Sequence, residues 1–341
     1  MTTERPDLSH VPPNVVQYIE HLETEINRLR SEGGRPAATF DQSEPPTTVN
    51  ILTLSKNGLL KRTPRHHYTR QRRGGVGILD MNLAANDMPI ALAVAEESQG
   101  VLLFSNFGRA FRLQVSDIAE SELRGTGSEL GSLFNFRPNE QIVTILPEGQ
   151  GAYVVLVSER GWVHRIRGSY MSSNLIPGMS FHDPKDGGYL AAACWTQGNE
   201  DLFLATMSGK GVRFNESLVP ASGVKGIRVE PGDRIIGVTA VTDNTGVFLL
   251  SADGKGTIRL MNGFSANKAP GAGGKIAIKT DKLVAAFTAY PEEDIFCVSQ
   301  QGKIIRFQAE EIPPKEGVVQ GVNCMSLRSD EAIAATKSYL A

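Results

Sequence analysis

The stretch Gln71, Arg72, Arg73, Gly74, Gly75, Val76, Gly77 puts two adjacent guanidiniums beside three glycines. Arginine offers a planar fork of donors that suits phosphate oxygens. Glycine takes positive φ and lets a ligand come close, so main-chain N–H groups also reach a phosphate. Such a loop can hold a polyanion backbone without reading its bases. By itself the string also suits a plain surface turn, and its surroundings decide between the two.

The bulk charge gives no help. The 341 residues carry a net charge of -2, so a polyanion site must be a local patch. Residues 51–98 are the basic part, with seven Lys and Arg against four Asp and Glu: Lys56, Lys61, Arg62, Arg65, Arg70, Arg72 and Arg73 lie close together. Residues 246–292 come next, with Lys255, Arg259, Lys268, Lys275 and Lys279. A few well-placed cations give strongly salt-dependent binding even in a neutral protein.

Other chemistry is thinly represented. Cys194, Cys297 and Cys324 are scattered, which speaks against disulfides or a zinc site and for small buried residues. His66 and His67 have no Cys, Asp or Glu at ligand spacing, so no metal is expected there. Asp253-Gly254 reads as a hairpin turn, not a calcium loop. No Gly-Lys-Ser/Thr nucleotide loop is present, and neither ATP hydrolysis nor a cofactor is expected. The chain has no run of membrane-span length and no apolar signal core at its start, which fits a cytoplasmic protein.

The elements that would position the basic residues come from a repeat. Segments 51–58 (ILTLSKNG), 101–108 (VLLFSNFG), 154–161 (VVLVSERG), 202–209 (LFLATMSG), 247–254 (VFLLSADG) and 295–302 (IFCVSQQG) share four apolar residues, Ser or Thr, two variable residues and Gly. Their glycines are 50, 53, 48, 45 and 48 residues apart. Each segment describes a strand and a glycine-bearing hairpin turn. The fourth residue after the glycine is Arg62, Arg112, Arg165, Arg213 or Arg306, and the fifth unit reads as having one extra residue, which puts Arg259 there. With a further apolar alternation and a closing apolar stretch, every unit holds about four strands. That predicts an all-β fold of six radial blades.

The repeats occupy 50–341. Before them, Val15, Ile19, Leu22, Ile26 and Leu29 are spaced four, three, four and three, a heptad seam between Pro13 and Gly33. The spacing predicts a helix within 1–30, too short to be stable alone in water. Either a second copy, through residues 13–30, or the main body would cover it. Residues 31–49 read as a Pro/Gly/Ser/Thr linker.

The six repeats and the Gln71–Gly77 loop together resemble the C-terminal β-pinwheel domain of the DNA gyrase A subunit, and the loop resembles its gyrase A box, with Val76 at the variable place where a basic residue is common. The related domain of topoisomerase IV is similar, usually with a degraded box. The resemblance covers 50–341. It implies a six-bladed all-β pinwheel that wraps duplex DNA on a basic rim, with box residues Gln71, Arg72, Arg73, Gly74, Gly75 and Gly77. Lys61, Arg62, Arg65, Arg70, Arg112, Arg165, Arg213, Arg259 and Arg306 are expected to add DNA contacts. Only 49 residues precede the repeats, without the breakage-reunion region and its catalytic tyrosine. The expectation is therefore a non-enzymatic, nucleoid-associated DNA binder that wraps or bends duplex DNA, or one that supplies this domain in trans to a topoisomerase core subunit. The alternative is a protein-interaction propeller with weak or no DNA binding.

Overall fold

The computed structural model describes residues 11–12, 14–16, 19, 22–23, 44–149 and 151–338. The chain divides into two compact units, Met1–Asp41 and Gln42–Ala341. In the first, residues 14–16, 19, 22 and 23 are helical. The rest of the helix expected over 13–30, and most of the linker, lie outside the described residues. Among the described residues no helix is long and apolar enough to cross a membrane.

The second unit is a ring of six blades. Blade 1 takes Val49–Ser55, Leu59–Pro64 and Pro89–Glu96 from the first repeat, and blade 2 takes Gly100–Ser105, Arg109–Gln114 and Ile142–Pro147. Blades 3 and 4 follow with Tyr153–Ser158, Trp162–Arg167 and Leu190–Thr196, then Asp201–Thr206, Lys210–Asn215 and Ile235–Val241. Gly246–Ser251, Lys255–Leu260 and Leu283–Ala289 form blade 5, and Asp294–Ser299, Lys303–Gln308 and Ala332–Ser338 form blade 6. The last strand of each repeat is innermost. Ile90, Val143, Ala191, Ile236, Val284 and Ile333, one from each, line a cavity of about 670 Å³. The ring is closed, because Ala332–Ser338 packs beside Pro89–Glu96.

Each repeat does hold a fourth strand, but lends it backwards. Ser128–Glu129 of the second repeat pairs with Leu59–Pro64 of blade 1, and Met179–Ser180 of the third with Arg109–Gln114 of blade 2. Val224–Lys225, Lys275–Ile276 and Val322–Asn323 do the same for blades 3, 4 and 5. Ile78–Leu79 of the first repeat pairs with Lys303–Gln308 of blade 6 and completes the circle.

The apolar runs are continuous rather than alternating because both faces of each blade are covered by neighbours. Successive residues of one strand feed opposite seams. Val101 and Leu103 pack with Leu52 and Leu54 between blades 1 and 2, while Leu102 and Phe104 pack with Val154 and Leu156 between blades 2 and 3. The closing seam uses the same residue types: Ile51 and Leu92 against Phe296, Val298 and Ile304. Full burial of each such side chain contributes about 1.5–3 kcal/mol.

The fifth hairpin has no extra residue. Leu250 faces Gly256 across its turn just as Leu54 faces Leu60 in the first. Its fourth position is Ile258, opposite Phe248, and Arg259 is one step further on, opposite Val247. A one-residue step reverses the strand face, so Arg259 is not equivalent to the other five arginines. All three cysteines are free, Cys297 and Cys324 buried. Burial pushes the Cys324 thiol up to about 12.

Candidate nucleic-acid interface

The Gln71–Gly77 loop leads directly into the lent strand Ile78–Leu79, and so lies on blade 6 rather than blade 1. Gln71 N–H donates to the Arg306 carbonyl at 2.8 Å. Gly74 N–H donates to the Cys324 carbonyl at 2.7 Å, and Ser326 N–H donates to that of Gly75 at 2.8 Å. Cys324 follows the edge strand of blade 5, so the loop touches two blades. Gln71 Oε1 accepts from Gly77 N–H at 3.3 Å and fills the space a side chain at Gly75 would need. Gly77 has φ +77°, and a Cβ there would meet the Ile304 carbonyl oxygen at 2.7 Å, so the strand entry requires glycine.

The two box arginines divide. Arg73 faces inward: Nε donates to the Glu311 carbonyl at 2.9 Å and Nη1 to that of Asn323 at 3.1 Å, while its backbone N–H donates to Glu311 Oε2 at 3.0 Å. Arg72 is exposed, as is Val76. Arg70 is mostly covered and pairs with Asp294 at 3.0 Å. The glutamine, the glycines and Arg73 thus shape the loop, and Arg72 is the cation it presents to solvent.

The recurring strand arginines are not on the rim. Their position faces a neighbouring blade, and four of them reach forward into the next repeat. Arg62 pairs with Glu97 and Glu120 at 3.1 and 3.6 Å. Arg165 lies over the Tyr153 ring and 3.7 Å from Glu216. Arg213 pairs with Asp201 and Asp243 and donates to the carbonyls of Met261 and Phe264. Arg306 pairs with Asp294 and with Glu44, and donates to the Tyr68 carbonyl at 3.2 Å. Arg112 is held by Glu148. The other four guanidiniums clasp one repeat to the next.

The remaining expected residues are also interior. Lys61 is fully buried; its ammonium donates to Asp80 at 2.6 Å and to Thr63. Tyr68 Oη donates to the same Asp80 at 2.5 Å, and Thr53 at 2.8 Å. Burial, then the charge of Asp80, raises the Tyr68 hydroxyl well above its ordinary value. Arg65 is buried against Glu44 and Ser338. Arg259 is buried, and its Nε and Nη1 meet no hydrogen-bond partner among the described residues. Lys61, Arg62, Arg65, Arg213, Arg259 and Arg306 are therefore out of reach of any surface ligand in this conformation. The reason lies in the fold: in a closed propeller, a strand position repeated on every blade faces a seam.

A different set of cations occupies the outer edges. The box begins thirteen residues after Gly58. The same interval in other repeats brings Arg124, Lys225 and Arg228, Lys268, and Lys315, all exposed. Lys225 and Lys275 sit on edge strands lent to blades 3 and 4, and Lys315 lies beside the edge of blade 5. The corresponding loop of the third repeat, 174–180, has no cation. The offset of the box itself was the signal for these residues, and counting from the strand arginine bypassed it.

The profile of the DNA gyrase C-terminal domain, beta-propeller family matches residues 50–95, 101–147, 200–242 and 293–338, more than half of the chain. The chain belongs to this family. It is 28% identical over 305 residues to the DNA gyrase A protein of Ureaplasma parvum, and 28% over 308 residues to that of Staphylococcus epidermidis. Each match covers 86% of this chain but 36% and 34% of the relative, so the chain spans about a third of their length. A solved gyrase A C-terminal domain superposes with a TM-score of 0.74 at 21% identity, covering 86% of this chain and all of the other. A topoisomerase IV C-terminal domain superposes at 0.60 and 18% identity, over 87% of this chain and 95% of that one. These two likenesses bear on the fold.

The interior charges make two outcomes measurable. Lys61→Met leaves the Asp80 carboxylate buried without its cation and is expected to cost about 3–5 kcal/mol in urea unfolding. Lys61→Met with Asp80→Asn removes the unpaired charge while keeping a side-chain oxygen as acceptor for Tyr68 or Thr53, and should recover part of that loss; equal losses in both variants would refute the pairing. At Glu44, burial opposes ionisation, but hydrogen bonds from Arg65 and Arg306, with their charges, outweigh it and hold the carboxyl below its ordinary value. A depressed carboxyl stabilises the fold above its unfolded value, about 4.3, and loses that stabilisation as pH falls through the folded value. Glu44→Gln should therefore unfold with a shallower dependence on pH in that acid window than the parent protein, measured by denaturant midpoints from pH 6 to 3.

Proposed function

We propose that this protein binds duplex DNA along the outer edges of its blades, through phosphate contacts, and bends or wraps it without reading sequence. The observation that carries this is the placing of exposed cations: Arg72 on blade 6 lies in the same seven-residue interval of its repeat as Arg124, Lys225, Lys268 and Lys315 do in theirs, and Lys275 lies on the edge of blade 4. A duplex following that rim would meet a cation at five of six edges. Contacts of this kind position a duplex and are blind to its bases. The relatives are named as gyrase subunits, and the same reading makes this chain an aid to a type II topoisomerase in trans, with the seam Val15, Ile19, Leu22, Ile26 and Leu29 as the docking element for a topoisomerase core or a second copy.

The competing reading, a protein-interaction propeller, is favoured by one observation: the box presents Val76, 45% exposed, as well as Arg72. Affinity for a long duplex measured between 50 and 200 mM salt separates the two. Each phosphate contact adds about 0.9 to the slope of log K against log salt. Arg72→Ala with Lys225→Ala and Lys275→Ala should weaken binding to all sequences alike and flatten that slope by about 2–3. Unchanged affinity and slope would favour the interaction propeller.

A further inference from the structure

Two histidines stand where other repeats put apolar side chains. The third residue after the hairpin glycine is Phe111, Val212 and Ile305 in the second, fourth and sixth repeats, all buried, and His164 in the third. The residue next to the one whose N–H donates to the hairpin-glycine carbonyl is Met81, Ile227, Ile278 or Met325 in four other repeats, again buried. In the third repeat it is His182, only 4% exposed. His164 lies on strand Trp162–Arg167 of blade 3, and His182 follows the strand lent to blade 2. Their rings meet across the seam with centroids 5.3 Å apart and planes at 65°.

Both rings keep an unused nitrogen. His182 Nε2 lies 2.8 Å from the Gly188 carbonyl, which can only accept, so Nε2 carries the proton and Nδ1 is a bare lone pair. That Nδ1 is buried and has no partner among the described residues, and neither does His164 Nε2. A buried polar nitrogen without a partner calls for an explanation. A carbonyl behind the ring is also the support that metal-bound histidines have, since it fixes the tautomer and aims the other nitrogen. Two imidazoles held by one tetrahedral ion at N–metal distances of about 2.0–2.1 Å have centroids roughly 5 Å apart, which is the spacing here.

We propose that His164 Nε2 and His182 Nδ1 form a two-histidine site for a divalent transition ion, Cu²⁺ or Zn²⁺, joining blades 2 and 3. Among the described residues no group of three or more His, Cys, Asp and Glu is placed to hold a metal. The protein thus supplies two donors, and water takes the other positions. Imidazole favours copper over zinc in such a pair.

The Trp162 ring, 6.5 Å from that of His164, is a built-in reporter. The full chain would be titrated with Cu²⁺ while its tryptophan fluorescence is followed, and Zn²⁺ added in competition. The expected result is quenching that saturates at one equivalent, is reversed by excess Zn²⁺, and is lost in His164→Phe and in His182→Met. Both variants carry residue types that other repeats use at these places, so they should fold, and circular dichroism checks this. His66→Ala with His67→Ala should quench as the parent does. Quenching that survives in His164→Phe or moves with His66 and His67 would overturn the proposal, as would the absence of saturable quenching in the parent.

Discussion

Each blade of this protein lacks an outer edge of its own and takes it from the repeat that follows. An uncovered strand edge leaves backbone donors and acceptors unpaired and invites association with other chains. Lending a strand backwards solves this at five blades and leaves the sixth to be completed by the first repeat. Everything distinctive about the first repeat follows from that duty. Ile78–Leu79 must cross to blade 6, and the segment before it must turn sharply against foreign backbone. Gln71, Gly75 and Gly77 make that turn, and Arg73 ties it to Glu311 and Asn323. Glu44 and Asp80 then hold the same junction from within, one between Arg65 and Arg306, the other beneath Lys61 and Tyr68.

The charges separate by depth. Guanidiniums at the fourth hairpin position are committed to carboxylates and carbonyls of their own repeat and, in four of the five, of the next, where they fix the relation between blades. Withdrawing Arg165 or Arg306 would leave Glu216 or Asp294 buried without that cation, which costs more than the pair contributes. Arg72, Arg124, Lys225, Lys268, Lys275 and Lys315, on the lent strands and their approach loops, are exposed, while Arg70 and Arg73 beside them are tied to the blades. A net charge of -2 therefore coexists with exposed cations at the blade edges, while Asp80, Glu216 and Asp294 are among the carboxylates buried as interior partners. The proposed DNA path uses the second group and leaves the first intact.

The repeat, the number of blades and the box were legible in the sequence because hairpin glycines and apolar runs report directly on local backbone conformation. The family to which the chain belongs followed from the same residues. The direction of strand lending was not legible, since a two-residue strand such as Ser128–Glu129 looks the same whichever blade it joins. That gap left open which blade carries the box, which sits on blade 6. Lys61 and Arg62 looked like surface cations because composition cannot show that their strand has a blade on each side. Arg259 looked like a member of the arginine series because a one-residue shift is invisible until the register with Val247 is known.

The central claim is that a closed ring with cations on its edges deforms the duplex it binds. Relaxed plasmid incubated with the protein, treated with a type I topoisomerase, stripped of protein and run on a gel tests this most directly. The account predicts a shift in linking number that grows with protein and shrinks when Arg72, Lys225 and Lys275 are replaced by alanine. An unshifted distribution at concentrations that saturate the plasmid would contradict it.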